Sequence, residues 1–284
     1  MKTKLVEIGI IPSINYHLWK SCNFKCKFCF GAFNDVPNNN LQEEQAIKLL
    51  RKLVNFGFEK ITFSGGEPTL CAFLPKLLRI AKNGGMTTMI VTNGSKLNEE
   101  WLVSNQDYLD WIAISIDSTN IRTNYISGRC HGNKPFDETI YLSLISQIKQ
   151  FGYKIKVNTV VSKFNQFEDL NAFIDKVKPE RWKILQALPI IGQNDAFSKD
   201  FSISFDEFND FIKRHEKSSL IKESNYDMKG SYVMIDPIGR FFNNSNGQYS
   251  YSSPINEVGV EHALQEINYC FNKFISRDGL YDWK

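Results

Sequence analysis

Residues 21–33 read SCNFKCKFCFGAF, and this stretch decides the fold because three of the chain's six cysteines, Cys22, Cys26 and Cys29, fall in it at C-x3-C-x2-C spacing. A reducing compartment disfavours disulfides and makes clustered thiols metal ligands. Three thiolates can hold three irons of a cubane and leave the fourth open to an exogenous ligand. The competing reading is a structural zinc site completed by His17, five residues before Cys22. Zinc sites usually come as paired C-x2-4-C knuckles, and only one such pair can be built here.

Downstream of the cysteines, apolar β-rich runs alternate with helical patterns. LQEEQAIKLLRKLVNFG (41–57) places Ala46, Leu49, Leu50, Leu53 and Val54 on one helical face and stops at Gly57. EKITFSGG (59–66) reads as a strand running into a glycine turn, FLPKLLRIAKNGG (73–85) as a helix and MTTMIVTNGS (86–95) as a strand. LDWIAISID (109–117), YKIKVNTVVS (153–162) and RWKILQALP (181–189) are further strands, with helices predicted in 138–152 and 167–179. Repeated βα units imply a parallel sheet with right-handed crossovers, open or curled into a barrel, with the active edge at the C-terminal ends of its strands. After Pro189 the rhythm breaks. IIGQNDAFSKD is loop-like, Phe205–His215 is helical, and SYVMIDPIGRFF suggests a hairpin around Pro237 and Gly239. The expected division is a core over 1–190 and a C-terminal extension over 191–284 packed on it.

The 284 residues are 42% hydrophobic and carry 34 basic against 31 acidic side chains, a net charge of +3. That balance gives no reason to expect a nucleic-acid partner. MKTKLVEIGIIPSINYHLW carries Glu7 and Pro12 and reads as mature protein; no run is long enough to cross a bilayer, and no separate amphipathic helix fits before the first strand. A soluble cytoplasmic monomer is expected.

The cysteine spacing, with Phe28 before the last cysteine, and SGGEP (64–68) after the next strand together resemble the radical S-adenosylmethionine (SAM) superfamily. The resemblance implies an α/β fold, a partial (β/α)6 barrel, with a 4Fe–4S cluster on Cys22, Cys26 and Cys29 and SAM as cofactors. Gly65 and Gly66 permit close backbone approach, and Glu67 can accept hydrogen bonds from the cofactor's amino group. Phe28 could cover its adenine.

A narrower resemblance is to the viperin family. It rests on NYHLWKSCNFKCKFCF, VTNGS, AISIDS, ISGR, KVNTVV, ERWKILQ, MKGSYVMID and VGVEHAL, in the family's order, from about Asn15 to Trp283. It implies conversion of a nucleoside triphosphate (CTP, UTP or GTP) to its 3′-deoxy-3′,4′-didehydro analogue, a chain-terminating antiviral nucleotide, with electrons from a flavodoxin or ferredoxin. A triphosphate needs converging cations. Arg181 and Lys183 are two apart and share a strand face, as do Lys156 and Asn158. A single strand lysine is more often solvated, but four charged residues on apolar strands are costly without a partner. By the resemblance, Lys60, Lys156, Arg181 and Lys183 grip phosphates near Thr62 and Ser64, Asn15 lies near the base, and Asn93, Ser115, Arg129 and Asn158 contact the cofactor. Tyr232 matches a proton donor, against the alternative of a core aromatic. This chain departs from the family at Thr62 (asparagine there), at Gly31 (commonly histidine) and in lacking the animal proteins' N-terminal membrane helix. Another radical SAM enzyme and a non-catalytic nucleotide binder with a structural metal are the alternatives. An auxiliary thiolate cluster needs more cysteines than Cys270, the only one after Cys130.

Overall fold

The computed structural model describes residues 4–37, 40–215 and 220–283. Its strands are β1 (Ser13–Trp19), β2 (Lys60–Gly65), β3 (Thr87–Thr92), β4 (Trp111–Ser115), β5 (Lys154–Val161), β6 (Arg181–Gln186), β7 (Leu220–Glu223), β8 (Val233–Ile235), β9 (Arg240–Asn243) and β10 (Ser250–Pro254). They form one sheet of ten strands in the order β10-β9-β8-β1-β2-β3-β4-β5-β6-β7. From β8 through β7 every pairing is parallel, and β9 and β10 return antiparallel as the hairpin expected around Pro237 and Gly239. A small antiparallel ribbon, Cys130–His131 with Lys134–Pro135, stands apart.

Three of the strands, β2, β5 and β6, alternate in character over much of their length, and this decides which way they face. Ile155, Val157 and Val161 of β5, Ile61 and Phe63 of β2, and Trp182 and Ile184 of β6 are fully buried under the helices. The helix Glu43–Phe56 contributes Ala46, Leu49, Leu50 and Leu53 to that layer and ends at Gly57 in the left-handed conformation, φ 102°. Between the apolar residues stand Lys156 and Asn158, Lys60, Thr62 and Ser64, and Arg181 and Lys183, all turned to the concave interior. The sheet is a partial barrel, apolar outside beneath helices, with these polar and charged side chains set among apolar ones such as Met89, Val91 and Leu185 within.

The segment after residue 190 does more than pack on the barrel. It adds β7 beside β6 at one edge and β8, β9 and β10 beside β1 at the other. The stretch expected as a loop at 190–200 contains a 3-10 turn, Asp195–Phe197, and a helical turn, Ser198–Phe201, because burial of Phe201 organises an otherwise polar run. Before β1 a single helical turn, Lys4–Glu7, buries Leu5 and Val6 against the core. No helix among the described residues is long and apolar enough to cross a membrane.

Candidate active site

A cavity of about 290 Å³ runs through the barrel interior, lined by alternate residues of the central strands. The cysteine loop follows β1, so the thiols stand at the C-terminal ends of the strands. Lys60, Lys156 and Arg181 sit at or near strand starts and form the opposite end.

At the thiol end the loop is stitched to its neighbours by backbone bonds. Lys25 N donates to Gly128 O (3.1 Å), Lys27 N to Ser127 O (2.9 Å) and Glu67 N to Ser21 O (2.9 Å). Two glycines make this approach possible. Gly66 admits the Ser21 carbonyl where a Cβ would run into it, and Gly128, at φ 79°, does the same for Lys25 O. Glu67 is buried and clamps the glycine turn to the end of β3: Oε1 accepts from Thr69 N (3.1 Å), Thr69 Oγ1 (2.6 Å) and Thr92 Oγ1 (2.7 Å), and Oε2 from Asn93 N (2.8 Å). Burial pushes its carboxyl up, with these donors opposing. Asn93 Nδ2 donates to Asn23 Oδ1 (2.9 Å), tying the cysteine loop in turn. Arg129 and Asp117 form a buried ion pair, with Nε donating to Oδ2 at 2.7 Å, and the guanidinium lies 5.5 Å from the Phe28 ring centre.

The donor set fits an iron–sulfur cluster. All three cysteines line the cavity, whereas Cys71, Cys130 and Cys270 do not. Burial raises the Cys26 thiol to about 12, so thiolates here need a bound cation to persist. Among the described residues no three His, Cys, Asp or Glu side chains gather as one ion requires; a cubane places each thiolate on a different iron. The zinc reading lacks a gathered ligand set among the described residues: His17, neutral because burial lowers it to about 3, packs against Phe30, Phe33 and Phe242 and does not gather with the three thiols. Ser64 Oγ and Asn158 Oδ1, both of residues lining the cavity, are buried without a partner in the protein and suit a polar ligand.

At the other end five cations border the cavity: Lys60, Lys156, Arg181, Lys183 and Arg277. Lys60 donates to the Tyr281 hydroxyl and lies 4.2 Å from its ring centre, and Arg181 stacks on the same ring at 3.7 Å while pairing with Asp278 at 2.8 Å. Lys183 Nζ donates to the Tyr232 hydroxyl at 2.6 Å and pairs with Glu223. Glu223 also accepts from Tyr232 and from Arg277 Nη1 (3.0 Å), so this network bridges β7 and the start of β8. Burial and then neighbouring cations push Lys60 and Lys156 well below the usual lysine range, and burial brings Lys183 to about 8.

Every residue singled out from the sequence for the cluster, the cofactor, the substrate and proton donation lines this one cavity, Asn15, Thr62, Ser115 and Tyr232 included. Sequence reading missed Asp117, Gly128, Glu223 and Arg277, and left open whether the segment GLYDWK (279–284), with Tyr281, closes over the site or recruits a cluster-loading partner. Asp117 and Gly128 lay inside the quoted AISIDS and ISGR segments; Glu223 and Arg277 had no local signal. GLYDWK, apart from Lys284, which is outside the described residues, closes the basic end through Tyr281 and Trp283, whose carbonyl accepts from Trp111 Nε1 at 2.9 Å.

The radical SAM superfamily profile matches residues 16–177. A protein of Flammeovirga pacifica, "S-adenosylmethionine-dependent nucleotide dehydratase", is 52% identical over 97% of each chain. The "S-adenosylmethionine-dependent nucleotide dehydratase RSAD2" of Oncorhynchus mykiss is 36% identical over 95% of this chain and 80% of its own. Among solved structures, "Native anSMEcpe with bound AdoMet and Cp18Cys peptide" superposes with a TM-score of 0.69 at 13% identity, covering 89% of this chain and 80% of that one, a likeness of fold. The chain belongs to the radical SAM superfamily, whose cofactors are a 4Fe–4S cluster and SAM, and within it to the family of the viperin-like SAM-dependent nucleotide dehydratases.

Proposed function

We propose that the chain dehydrates a nucleoside triphosphate, CTP, UTP or GTP, to its 3′-deoxy-3′,4′-didehydro analogue. The observation that carries this reading is one cavity with three thiols at one end and five cations from four segments at the other. One substrate is held by its phosphates at the cations while its ribose lies toward the thiols.

Cys22, Cys26 and Cys29 would hold the cluster, and Gly65, Gly66 and Glu67, with Phe28, Asn93, Ser115, Arg129 and Asn158, would hold SAM. When bound, these groups supply the radical that removes the ribose 4′ hydrogen. Lys60, Lys156, Arg181 and Lys183 grip the phosphates beside Thr62 and Ser64, with Asn15 near the base, and fix the ribose against the cofactor. Tyr232 donates a proton to the departing 3′ hydroxyl so that it leaves as water. A flavodoxin or ferredoxin supplies two electrons, one for the radical and one that pairs the unpaired electron left on the sugar once water has gone, and the chain works as a cytoplasmic monomer.

The test is anaerobic reconstitution followed by quantification of 5′-deoxyadenosine with dithionite, SAM and each of CTP, UTP, GTP and ATP. One triphosphate is expected to stimulate cleavage strongly and to yield a product lighter by one water. SAM cleavage that no nucleotide accelerates would overturn the phosphate assignments.

A further inference from the structure

Glu223 is a carboxylate on the wall of the cavity at the end where Lys60, Lys156, Arg181, Lys183 and Arg277 gather. It is completely buried, with both carboxylate oxygens engaged: Oε1 by Lys183 and Arg277, Oε2 by the Tyr232 hydroxyl. The side chains of Lys183 and Arg277 are only 10% and 9% exposed, so this charge contact is scarcely screened. Burial opposes ionisation, yet Lys183 and Arg277 hold Glu223 down to about 2, so it is an anion at neutral pH. Asp278 on Arg181 is a different case, 52% exposed and open to water. Lys60 and Lys156 form no ion pair among the described residues, though Lys156 feels the charge of Glu223.

We infer that Glu223 is an internal competitor for phosphate: it neutralises Lys183 and Arg277 when the cavity is empty and limits how tightly the finished triphosphate is held. This rests on the nucleoside triphosphate reading above. Two buried cations without a counter-ion are costly, and Glu223 offsets that cost in the empty protein. An entering phosphate must take Lys183 and Arg277 from Glu223 or share them with it, and the carboxylate then faces phosphate oxygens of its own sign. Dehydration at the ribose leaves the triphosphate unchanged, so every phosphate contact binds product as well as substrate. A pocket of five uncompeted cations would release product slowly. Glu223 loosens two of the five contacts throughout the cycle.

The experiment is calorimetric titration of the reconstituted protein with sodium tripolyphosphate, which carries the charge without base or ribose, alongside steady-state kinetics with the preferred nucleotide. E223Q keeps the shape and removes the charge. It is expected to bind tripolyphosphate about tenfold tighter, equivalent to roughly 1.4 kcal/mol, to lower KM and kcat together, and to melt at a lower temperature when ligand-free. E223D keeps the charge but withdraws it by one methylene; a smaller tightening in the same direction is expected, and it decides the matter if E223Q does not fold. Binding that is unchanged or weaker in the folded variants overturns the competitor role while leaving the triphosphate reading intact. If the wild-type protein does not bind tripolyphosphate, both fall together.

Discussion

The two ends of the cavity are built in opposite ways. The thiol end is assembled from short contiguous motifs, the cysteine loop and SGGEP, locked by main-chain bonds that need glycine at Gly66 and Gly128. The basic end draws Lys60, Lys156, Arg181 and Lys183 from three strands and Glu223, Arg277 and Tyr281 from beyond residue 220, brought together mainly by side-chain contacts, with Arg277 and Arg181 also donating to the Ser231 and Asp278 carbonyls. A geometry fixed by backbone resists substitution of its side chains but not of its glycines. A geometry fixed by charge tunes with single side chains and with pH.

If the ends are independent, the heaviest damage at one should leave the other untouched. Cys26→Ala is expected to abolish iron–sulfur absorbance and SAM cleavage while thermal protection by tripolyphosphate persists; loss of that protection would mean the ends are coupled. Gly128→Ala is expected to cost about 1–3 kcal/mol, because its backbone lies at positive φ and the Lys25 carbonyl occupies the Cβ position. Urea melts and iron content should fall together. The basic end should instead respond to proton concentration. Lys183 is cationic below about 8 and neutral above it, so phosphate affinity should drop as pH rises. The expected loss between pH 7 and 9 is about tenfold. Lys60 and Lys156, also shifted down, act in the same direction. Lys183→Arg should flatten the part of the profile centred near 8. The smallest effect is reserved for Tyr281→Phe, which removes the hydroxyl bonded to Lys60 but keeps the ring beneath Lys60 and Arg181. A change in KM of about threefold is expected.

The same contrast explains what was legible in the sequence. The strands announced themselves through alternation, as in KVNTVV, where Lys156 and Asn158 turn inward and Val157 and Val161 outward. The cysteine loop and glycine turn were legible because their chemistry depends on spacing along the chain. Arg181 and Lys183 were legible as a pair because two residues apart on a strand means one face. Glu223 was not, since a glutamate ending a four-residue edge strand looks like any surface acid until Tyr232, Lys183 and Arg277 surround it. Arg277 sits just after a six-residue helix whose only wholly buried side chain is Phe274, and Tyr281 lies in an irregular segment. Their roles are set by contacts between residues far apart in the chain, and no local pattern encodes such contacts.

The floor of the barrel, where Tyr281 and Trp283 cover Lys60 and Arg181, has a consequence for the order of synthesis. The ribosome delivers the cysteine loop first and β6 much later, and Arg277, Asp278 and Tyr281 emerge only after every strand of the sheet. The basic end therefore stays incomplete until the last-made segment folds across it.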